Sequence, residues 1–317
     1  MSALAFTIVA LLLSGPVPAM LARAWWPMRA PRAAIVLWQS IALAAVLSAF
    51  SAGIAIASRL FAPGPDGRPT ATSVTTEIAA LGWPLWVTYV LVFVLTLVIG
   101  ARLMTAVLQV AIATRRRRAH HRMMVDLLDM SHESLPRQVC LQSSGLRILD
   151  VKQPLAYCLP GVRSRVVVSE GTLNTLSDSE IAAILTHERA HLRARHDLVL
   201  EMFTAVHAAF PRFVRSANAL NAVRLLIELL ADDAAVRAAG PTSLARALVA
   251  CAAGRTPSGA LAAGGPTTVL RVRRLGGRPN SRALAACAYL AAAAVLVLPT
   301  VALAVPWLTE LHRLLIA

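Results

Sequence analysis

The sequence predicts a multi-pass α-helical membrane protein that carries an α+β domain between its third and fourth transmembrane helices. Hydrophobic residues make up 57% of the chain, mean hydropathy is +0.64, and only 15% of residues are charged. Soluble domains are nearer to a quarter charged, so this composition indicates membrane segments. Four apolar runs are each long enough to cross a bilayer, which takes about 20 helical residues. One long stretch between the last two runs, 115–282, is polar enough to fold outside the membrane.

The four transmembrane helices are predicted from these apolar runs. The first contains Gly15-Pro16-Val17-Pro18, which predicts a kinked or short helix because proline removes a backbone donor. No positively charged segment precedes it, so a cleaved signal peptide is the weaker alternative. The predicted helices are about 2–22, 33–58, 83–112 and 284–307, so that 1–114 holds three of them and 284–317 holds the fourth with a short tail.

The arginine positions predict how the chain is oriented in the membrane. Arginines follow the first and third helices and precede the fourth, in three clusters: Arg23 to Arg32, Arg115 to Arg118, and 271–282. Loops rich in positive charge stay in the cytoplasm. We therefore predict a multi-pass protein of the cell (inner or plasma) membrane, with its N-terminus, its 59–82 loop and its C-terminal tail outside. The block 115–282 is expected in the cytoplasm.

The formal net charge of +15 raises the question of nucleic-acid binding. The arginines cluster at predicted membrane boundaries, and no aromatic residues are interleaved with the run Arg115–Arg118. An anchor at the headgroups of anionic lipids is the favoured interpretation of this run. The lipid bilayer is thus the expected partner of the basic residues, and direct nucleic-acid binding is not expected.

Residues 115–252 are predicted to form the α+β domain. Its predicted elements include two short strands at 146–151 and 163–169 and a helix at about 216–238. Ser177 and Glu180 have the spacing of a capping box, which opens a further helix. Residues 253–283 follow as a flexible basic linker, because they begin with the glycine-containing run AGRTPSGALAAGGP.

The strongest chemical motif lies in the helix that this capping box opens. It is His187-Glu188-Arg189-Ala190-His191, two histidines four residues apart with a glutamate after the first. Positions i and i+4 share one helix face, so both imidazoles can bind the same tetrahedral Zn²⁺. Glu188 lies one residue further round, where it can accept a proton from water that the metal activates. The pattern is typical of zinc peptidases, and its chance occurrence in such a chain is on the order of 1%.

A third metal ligand is needed, and three residues are candidates. Asp197 lies six residues after the second histidine, a ligand position in one class of zinc peptidase. However, Ala194 stands where that class has a glycine turn, and the helix is expected to continue through 193–196. His207 lies in an apolar run and is more typical of a core residue. Glu228 lies among leucines of the later helix, where a carboxylate needs a partner such as a metal.

Two neighbours of Glu228 bear on its role. Asp232 is one helical turn later and can hydrogen-bond a ligand imidazole, which fixes the tautomer of that imidazole. Arg224 is one turn earlier, and an ion pair with it is the alternative role for Glu228.

These residues together resemble a known family. His187-Glu188-x-x-His191 followed by Glu228-x-x-Ala-Asp232 is similar to the gluzincin arrangement of HtpX-type peptidases. The run 156–197 more specifically resembles the BlaR/MecR-type membrane metallopeptidases, and the layout of three spans, a peptidase domain and one span also matches. The resemblance implies a cytoplasmic metallopeptidase domain with one Zn²⁺ per chain. It assigns the metal ligands His187, His191 and Glu228, the catalytic base Glu188 and the supporting Asp232.

The resemblance also implies a protein substrate. In this family the natural substrate would be a cytosolic winged-helix repressor of the BlaI type, whose cleavage derepresses genes of the antibiotic or cell-envelope response. A substrate strand is expected to pair with the edge strand that contains Ala156, Tyr157 and Cys158. The candidates to stabilise the oxyanion are Tyr157, His196 and Arg224.

The chain departs from the family pattern in two places. The family often has aspartate five residues after the second histidine, where this chain has His196, with Asp197 beside it. Full-length β-lactam receptors of this type continue into a large extracellular penicillin-binding domain, whereas this sequence stops at Ala317. We therefore expect the signal to come from a separate sensor protein, from the membrane or through the 59–82 loop.

Two other functions remain open at this level. One is an HtpX-like protease for quality control of membrane proteins, which the missing sensor favours. The other is a non-enzymatic membrane signal transducer with a relict metal site. The intact set of ligands with its base argues against that second alternative, because a relict site has no need to keep the base.

Overall fold

The computed structural model describes residues 2–57, 62–63, 69–70, 78–79, 81–129, 145–209, 217–252, 261–262, 267–277 and 280–301, with a few single residues near the C-terminus. Most residues of the 59–82 loop lie outside this described part. The same is true of most residues of the stretch 253–266 and of the C-terminal tail. The expectations for those segments stay predictions.

Among the described residues, four helices are long and apolar enough to cross a membrane, and they lie in the four places predicted. The first apolar segment is divided into α1 (Ser2–Ser14) and α2 (Pro16–Arg23), and this division confirms the predicted kink. A short 3-10 helix, Trp26–Arg29, leads into α3 (Pro31–Ala57). The third is α4 (Trp83–Leu127), and the fourth lies near the C-terminus.

Helix α4 does not end at the predicted membrane boundary. It is one continuous helix of 45 residues that carries the run Arg115–Arg118 into the α+β domain. The Arg118 guanidinium lies 3.0 Å from Asp197 and 2.7 Å from Glu201, whereas the other three arginines are exposed. Arg118 therefore ties the third apolar helix to the domain, and the expected contact of the run with lipid headgroups stays a prediction.

The structure contains one small and one larger β-sheet. Strands β1 (Ala62–Pro63) and β2 (Pro69–Thr70) form an antiparallel pair within the 59–82 loop. The larger sheet is formed by β3 (Leu146–Leu149), β4 (Ala156–Leu159), β5 (Arg165–Ser169) and β6 (Leu261–Ala262), in the order β3-β5-β4-β6. β3 runs parallel to β5, and β4 is antiparallel to both of its neighbours. The two predicted strands thus correspond to β3 and β5.

The strand predicted to receive a substrate is not a free edge in this structure. β4 pairs with β5 on one side and with β6 on the other, where Tyr157 is opposite Ala262 and Cys158 is opposite Leu261. A substrate strand can add to this side of β4 only after β6 has moved away.

The part of the chain that the structure describes contains seven further helices: α5 (Glu170–Thr175), α6 (Asp178–Arg193), α7 (His196–Ala209), α8 (Ala217–Ala239), α9 (Pro241–Cys251), α10 (Thr268–Leu275) and α11 (Arg282–Pro299). Helix α8 is the central one. Its Ala235 packs with Ile184 of α6 and Leu244 of α9 in the core of the domain. Its Val223 and Ile227 pack in a second core with residues of α3 and α7. Helix α8 is therefore fixed between the domain and the apolar helices.

Two sequence expectations are corrected by this fold. The helix expected to continue through 193–196 ends at Arg193, because Arg195 adopts a left-handed conformation with φ of 52° and α7 starts a new direction at His196. The range 253–283, predicted as a flexible linker, contains the helix α10. Arg274 of α10 forms an ion pair with Asp233 of α8 at 2.7 Å, which holds this helix against the domain.

Candidate metal centre

The two motif histidines lie on one face of α6, as predicted. The capping box that opens this helix is present, since the Ser177 backbone N–H donates to the Glu180 carboxylate at 2.9 Å. The Nε2 atoms of His187 and His191 lie 3.2 Å apart. Both side chains are buried, so both imidazoles are kept away from bulk water.

Glu228 of α8 brings a carboxylate to the same point. Its Oε2 lies 3.4 Å from the Nε2 of His187, and its Oε1 lies 3.6 Å from the Nε2 of His191. In a tetrahedral zinc site, ligand atoms about 2.0–2.2 Å from the ion stand about 3.3–3.6 Å from one another. The three residues form a group of potential metal ligands among the described residues. Their mutual distances therefore fit a single tetrahedral ion.

Asp232 lies beside the first candidate ligand, at the position where the sequence predicts a supporting carboxylate. Its Oδ1 lies 3.0 Å from the Nδ1 of His187. A proton held on Nδ1 by this carboxylate leaves Nε2 as the metal-binding atom. Burial lowers the pKa of His187, but its contacts with Asp232 and Glu228 outweigh burial and raise the pKa to about 9. Metal binding must therefore displace a proton from this imidazole.

His196 lies beside the second candidate ligand. Its Nδ1 lies 3.0 Å from the Nδ1 of His191. Burial lowers the pKa of His196 to about 4 and that of His191 to about 3, so both imidazoles are neutral. When His191 binds a metal through Nε2, its Nδ1–H donates to His196. The left-handed Arg195 creates this contact by turning α7 back towards α6.

The remaining candidates lie elsewhere. Asp197 is ion-paired with Arg118, and His207 lines a cavity among the apolar helices. Arg224 is exposed, and the described ion pairs of Glu228 are with His187, His191 and another arginine.

Glu188 is fully buried between α6 and β4. Neither of its carboxylate oxygens has a hydrogen-bond donor among the described residues, apart from the neighbouring thiol of Cys158. Burial, with the nearby charge of Glu228, raises the pKa of Glu188 to about 7. A carboxylate with this pKa can accept and return a proton near neutral pH, which is the property of a general base.

Tyr157 and Cys158 face opposite sides of the sheet, because successive strand residues alternate. Cys158 neighbours Glu188, whereas Tyr157 packs with Val125 of α4, and its hydroxyl lies 3.0 Å from the Nε2 of His121. The structure thus places Tyr157 on the side of the sheet away from α6, so it does not support Tyr157 as an oxyanion donor.

Arg271 of α10 is the site residue that sequence reasoning missed. It is buried, and its guanidinium binds Asp232 through two hydrogen bonds of 2.8 and 2.6 Å. It also lies 3.0 Å from the Oε2 of Glu228 and 3.4 Å from the Nε2 of His187. In the sequence, the cluster RVRR at 271–274 indicates only a membrane boundary, because it precedes an apolar helix. No signal in this local sequence separates Arg271 from the exposed Arg273.

Comparison with protein-family models matches residues 7–237 to one family, described as BlaR1 peptidase M56. The chain belongs to the BlaR1 peptidase M56 family. The match covers the first three apolar helices and the whole metal centre except Arg271. Membership in this family and the four apolar helices identify a membrane peptidase, and the converging ligands fit a metallopeptidase. No curated protein and no solved structure matches the chain.

The geometry of this M56 centre predicts that Asp232→Asn weakens metal binding. The substitution keeps the size of the side chain but removes the charge that holds His187 in its metal-binding tautomer. We expect zinc affinity, measured by competition with a fluorescent chelator, to fall about 10–100-fold. Asp233→Asn is the matched control, because Asp233 is the next residue of α8 and pairs with Arg274 instead. Equal affinity in both variants would mean that Asp232 does not support a ligand.

Arg271→Gln is expected to destabilise the metal-free protein more than the zinc-loaded one. Removing one partner of a buried ion pair costs about 3–5 kcal/mol, because the remaining charges are left uncompensated. Here these charges are Asp232 and Glu228, and bound zinc would neutralise the second of them. Melting temperatures with chelator and with zinc test this expectation. Arg273→Gln, on an exposed side chain of the same helix, is the control. If Arg271→Gln lowered the melting temperature equally with chelator and with zinc, this expectation would be contradicted.

Proposed function

We propose that this protein is a zinc-dependent endopeptidase of the membrane, with one Zn²⁺ per chain held by His187, His191 and Glu228. The observation that carries the proposal is the convergence of these ligand atoms at tetrahedral distances beside a buried glutamate of raised pKa. Among the transition metals, zinc suits a set of two imidazoles and one carboxylate that leaves a fourth position open.

The chain's own residues supply the proton transfers. Bound zinc contributes Lewis acidity, which acidifies water and polarises the scissile carbonyl. Glu188 takes the proton of the attacking water and later delivers it to the leaving amine. Asp232 and His196 hold the imidazoles of His187 and His191 in the tautomers that ligation requires.

The substrate is proposed to bind as a strand along β4. Where β4 pairs with β6, Cys158 is opposite Leu261, and Cys158 neighbours Glu188. An extended peptide that replaced Leu261–Ala262 would form main-chain hydrogen bonds with β4 and pass beside the base. Cleavage would then depend on an unfolded or extended region in the substrate.

The substrate class follows from family and orientation. We propose a cytosolic winged-helix repressor of the BlaI type, because the arginine clusters predict that the domain faces the cytoplasm of the inner or plasma membrane.

The deciding experiment compares new protein N-termini in cells that express the wild type with those in cells that express Glu188→Gln. The proposal predicts one wild-type-specific cut in a small DNA-binding repressor, under cell-wall stress. Many scattered cuts in membrane proteins would instead support an HtpX-like quality-control protease. No difference in any condition, with zinc bound, would support a non-enzymatic transducer.

A further inference from the structure

A cavity of about 610 Å³ lies apart from the metal centre, between the apolar helices and the α+β domain. Its walls are formed by α1, α3 and α4 together with α7 and α8. This volume is within the range of about 300–1,000 Å³ that is usual for small-ligand sites. The cavity is therefore large enough for a ligand and lies where the membrane helices meet the domain.

The lining is almost entirely apolar and extends along the membrane helices. On α3 it runs from Trp38 to Ala49, which spans about 16 Å at the helical rise of 1.5 Å per residue. On α4 it runs from Leu95 to Arg102. A narrow apolar space of this length, reached from a bilayer, fits an extended acyl chain.

Polar groups are few in this lining, and one of them has an unmet hydrogen bond. Trp38 is 2% exposed, and its Nε1 has no hydrogen-bond partner among the described residues. The indole N–H of a buried tryptophan usually finds an acceptor. The Nε1 atom is itself buried, so a ligand in the cavity cannot reach this N–H, and Trp38 contributes only apolar surface to the wall.

Arg102 supplies a positive charge to the same cavity. Its Nε donates to the backbone carbonyl of Ala209 at 3.2 Å, which holds the guanidinium against α7. A guanidinium has five N–H donors, so this single bond leaves donors for an anion. Arg102 follows Trp83, the first residue of α4, by 19 residues, about 28 Å along the helix. Arg102 therefore lies about one bilayer thickness from the start of α4.

We propose that this cavity binds one acyl chain of an acidic glycerophospholipid. The acyl chain lies between α1, α3 and α4, and the phosphate lies beside Arg102. Leu220, which lines the cavity, is eight residues before Glu228 on α8. The lipid therefore contacts the same helix that carries the third metal ligand.

Native mass spectrometry of the full chain in detergent tests the proposal, with phosphatidylglycerol as the acidic probe and phosphatidylcholine as the neutral one. We expect one phosphatidylglycerol per chain, retained about tenfold better than phosphatidylcholine, since a charge-assisted hydrogen bond contributes about that factor. Arg102→Gln should abolish the preference for the acidic lipid.

Ala45→Phe, which fills the cavity from α3, should abolish retention of both probes. Leu43→Phe on the exposed side of α3 and Arg237→Gln on the exposed side of α8 are the matched controls and should behave like the wild type. Unchanged zinc content and size-exclusion profile would show that each variant folds. Equal retention of the two lipids, or retention that survives Ala45→Phe, would overturn the proposal. Either result would indicate lipid bound non-specifically to the outer surface of the apolar helices and not in the cavity. Binding of a free fatty acid without phosphatidylglycerol would also overturn it.

Discussion

Glu188→Gln is expected to reduce peptide cleavage by about 10²–10⁴-fold, the usual contribution of general acid–base catalysis. Glutamine fills the same buried space beside Cys158 but cannot accept a proton from water. It does not change His187, His191 or Glu228, so zinc should stay bound. Cleavage is measured as kcat/KM in detergent on a peptide that contains the wild-type cleavage site, and zinc is measured by elemental analysis.

The matched control for this substitution is Glu170→Gln, which alters an exposed carboxylate at the start of α5. That variant should cleave like the wild type. Substantial cleavage by Glu188→Gln would mean that another group is the base. Loss of zinc from Glu188→Gln would mean that the residue holds the metal site together instead of taking part in proton transfer.

Glu228→Gln is expected to lower zinc affinity more than Asp232→Asn does, because it removes a ligand and not a residue that supports one. The loss should therefore exceed about 10–100-fold. The two imidazoles of His187 and His191 would be left to hold the ion alone. The amide is a weaker donor to zinc than a carboxylate and carries no charge to offset that of the ion. Affinity is measured by chelator competition, and zinc should no longer raise the melting temperature.

Two further variants make this result decisive. Glu201→Gln alters a carboxylate of α7 that pairs with Arg118, and it should leave zinc affinity unchanged. Asp197→Asn tests the rival ligand and should also leave it unchanged. If Asp197→Asn lost zinc and Glu228→Gln kept it, the assignment of the third ligand would be wrong.

Local sequence patterns predicted most of the metal centre. The two histidines share a face because α6 is a helix, and the Ser177–Glu180 capping box marks where that helix begins. Glu228 was chosen because a carboxylate among leucines needs a partner, and Asp232 because it lies one turn later. The structure brings these four side chains together, as the sequence predicted.

Arg271 could not be found in this way. It lies 39 residues after Asp232, and the contact depends on how α10 packs against α8. A cluster of arginines before an apolar helix has a sufficient explanation in membrane orientation. Nothing in the local pattern distinguishes the arginine that turns inward from its exposed neighbour Arg273.

The break between α6 and α7 shows a second limit of local patterns. Residues 193–196 have no glycine or proline, so their sequence favours a continuing helix. The left-handed conformation of Arg195 is unfavourable for a residue with a side chain and needs support from tertiary contacts. Those contacts are available here, since α7 is held by Arg118 of α4 and His196 meets His191.

The sequence by itself determined the four apolar helices, the helix with both histidines, and the chemistry that such residues can carry out. These features depend on hydrophobic run length and on the 3.6-residue helical period, which act within one segment. Only the tertiary structure decided that Arg271 enters the metal centre, that β6 covers the outer side of β4, and that a cavity remains beside Trp38. Each of these depends on packing between segments far apart in the chain, where burial and charge pairing select one arrangement among many that local patterns allow.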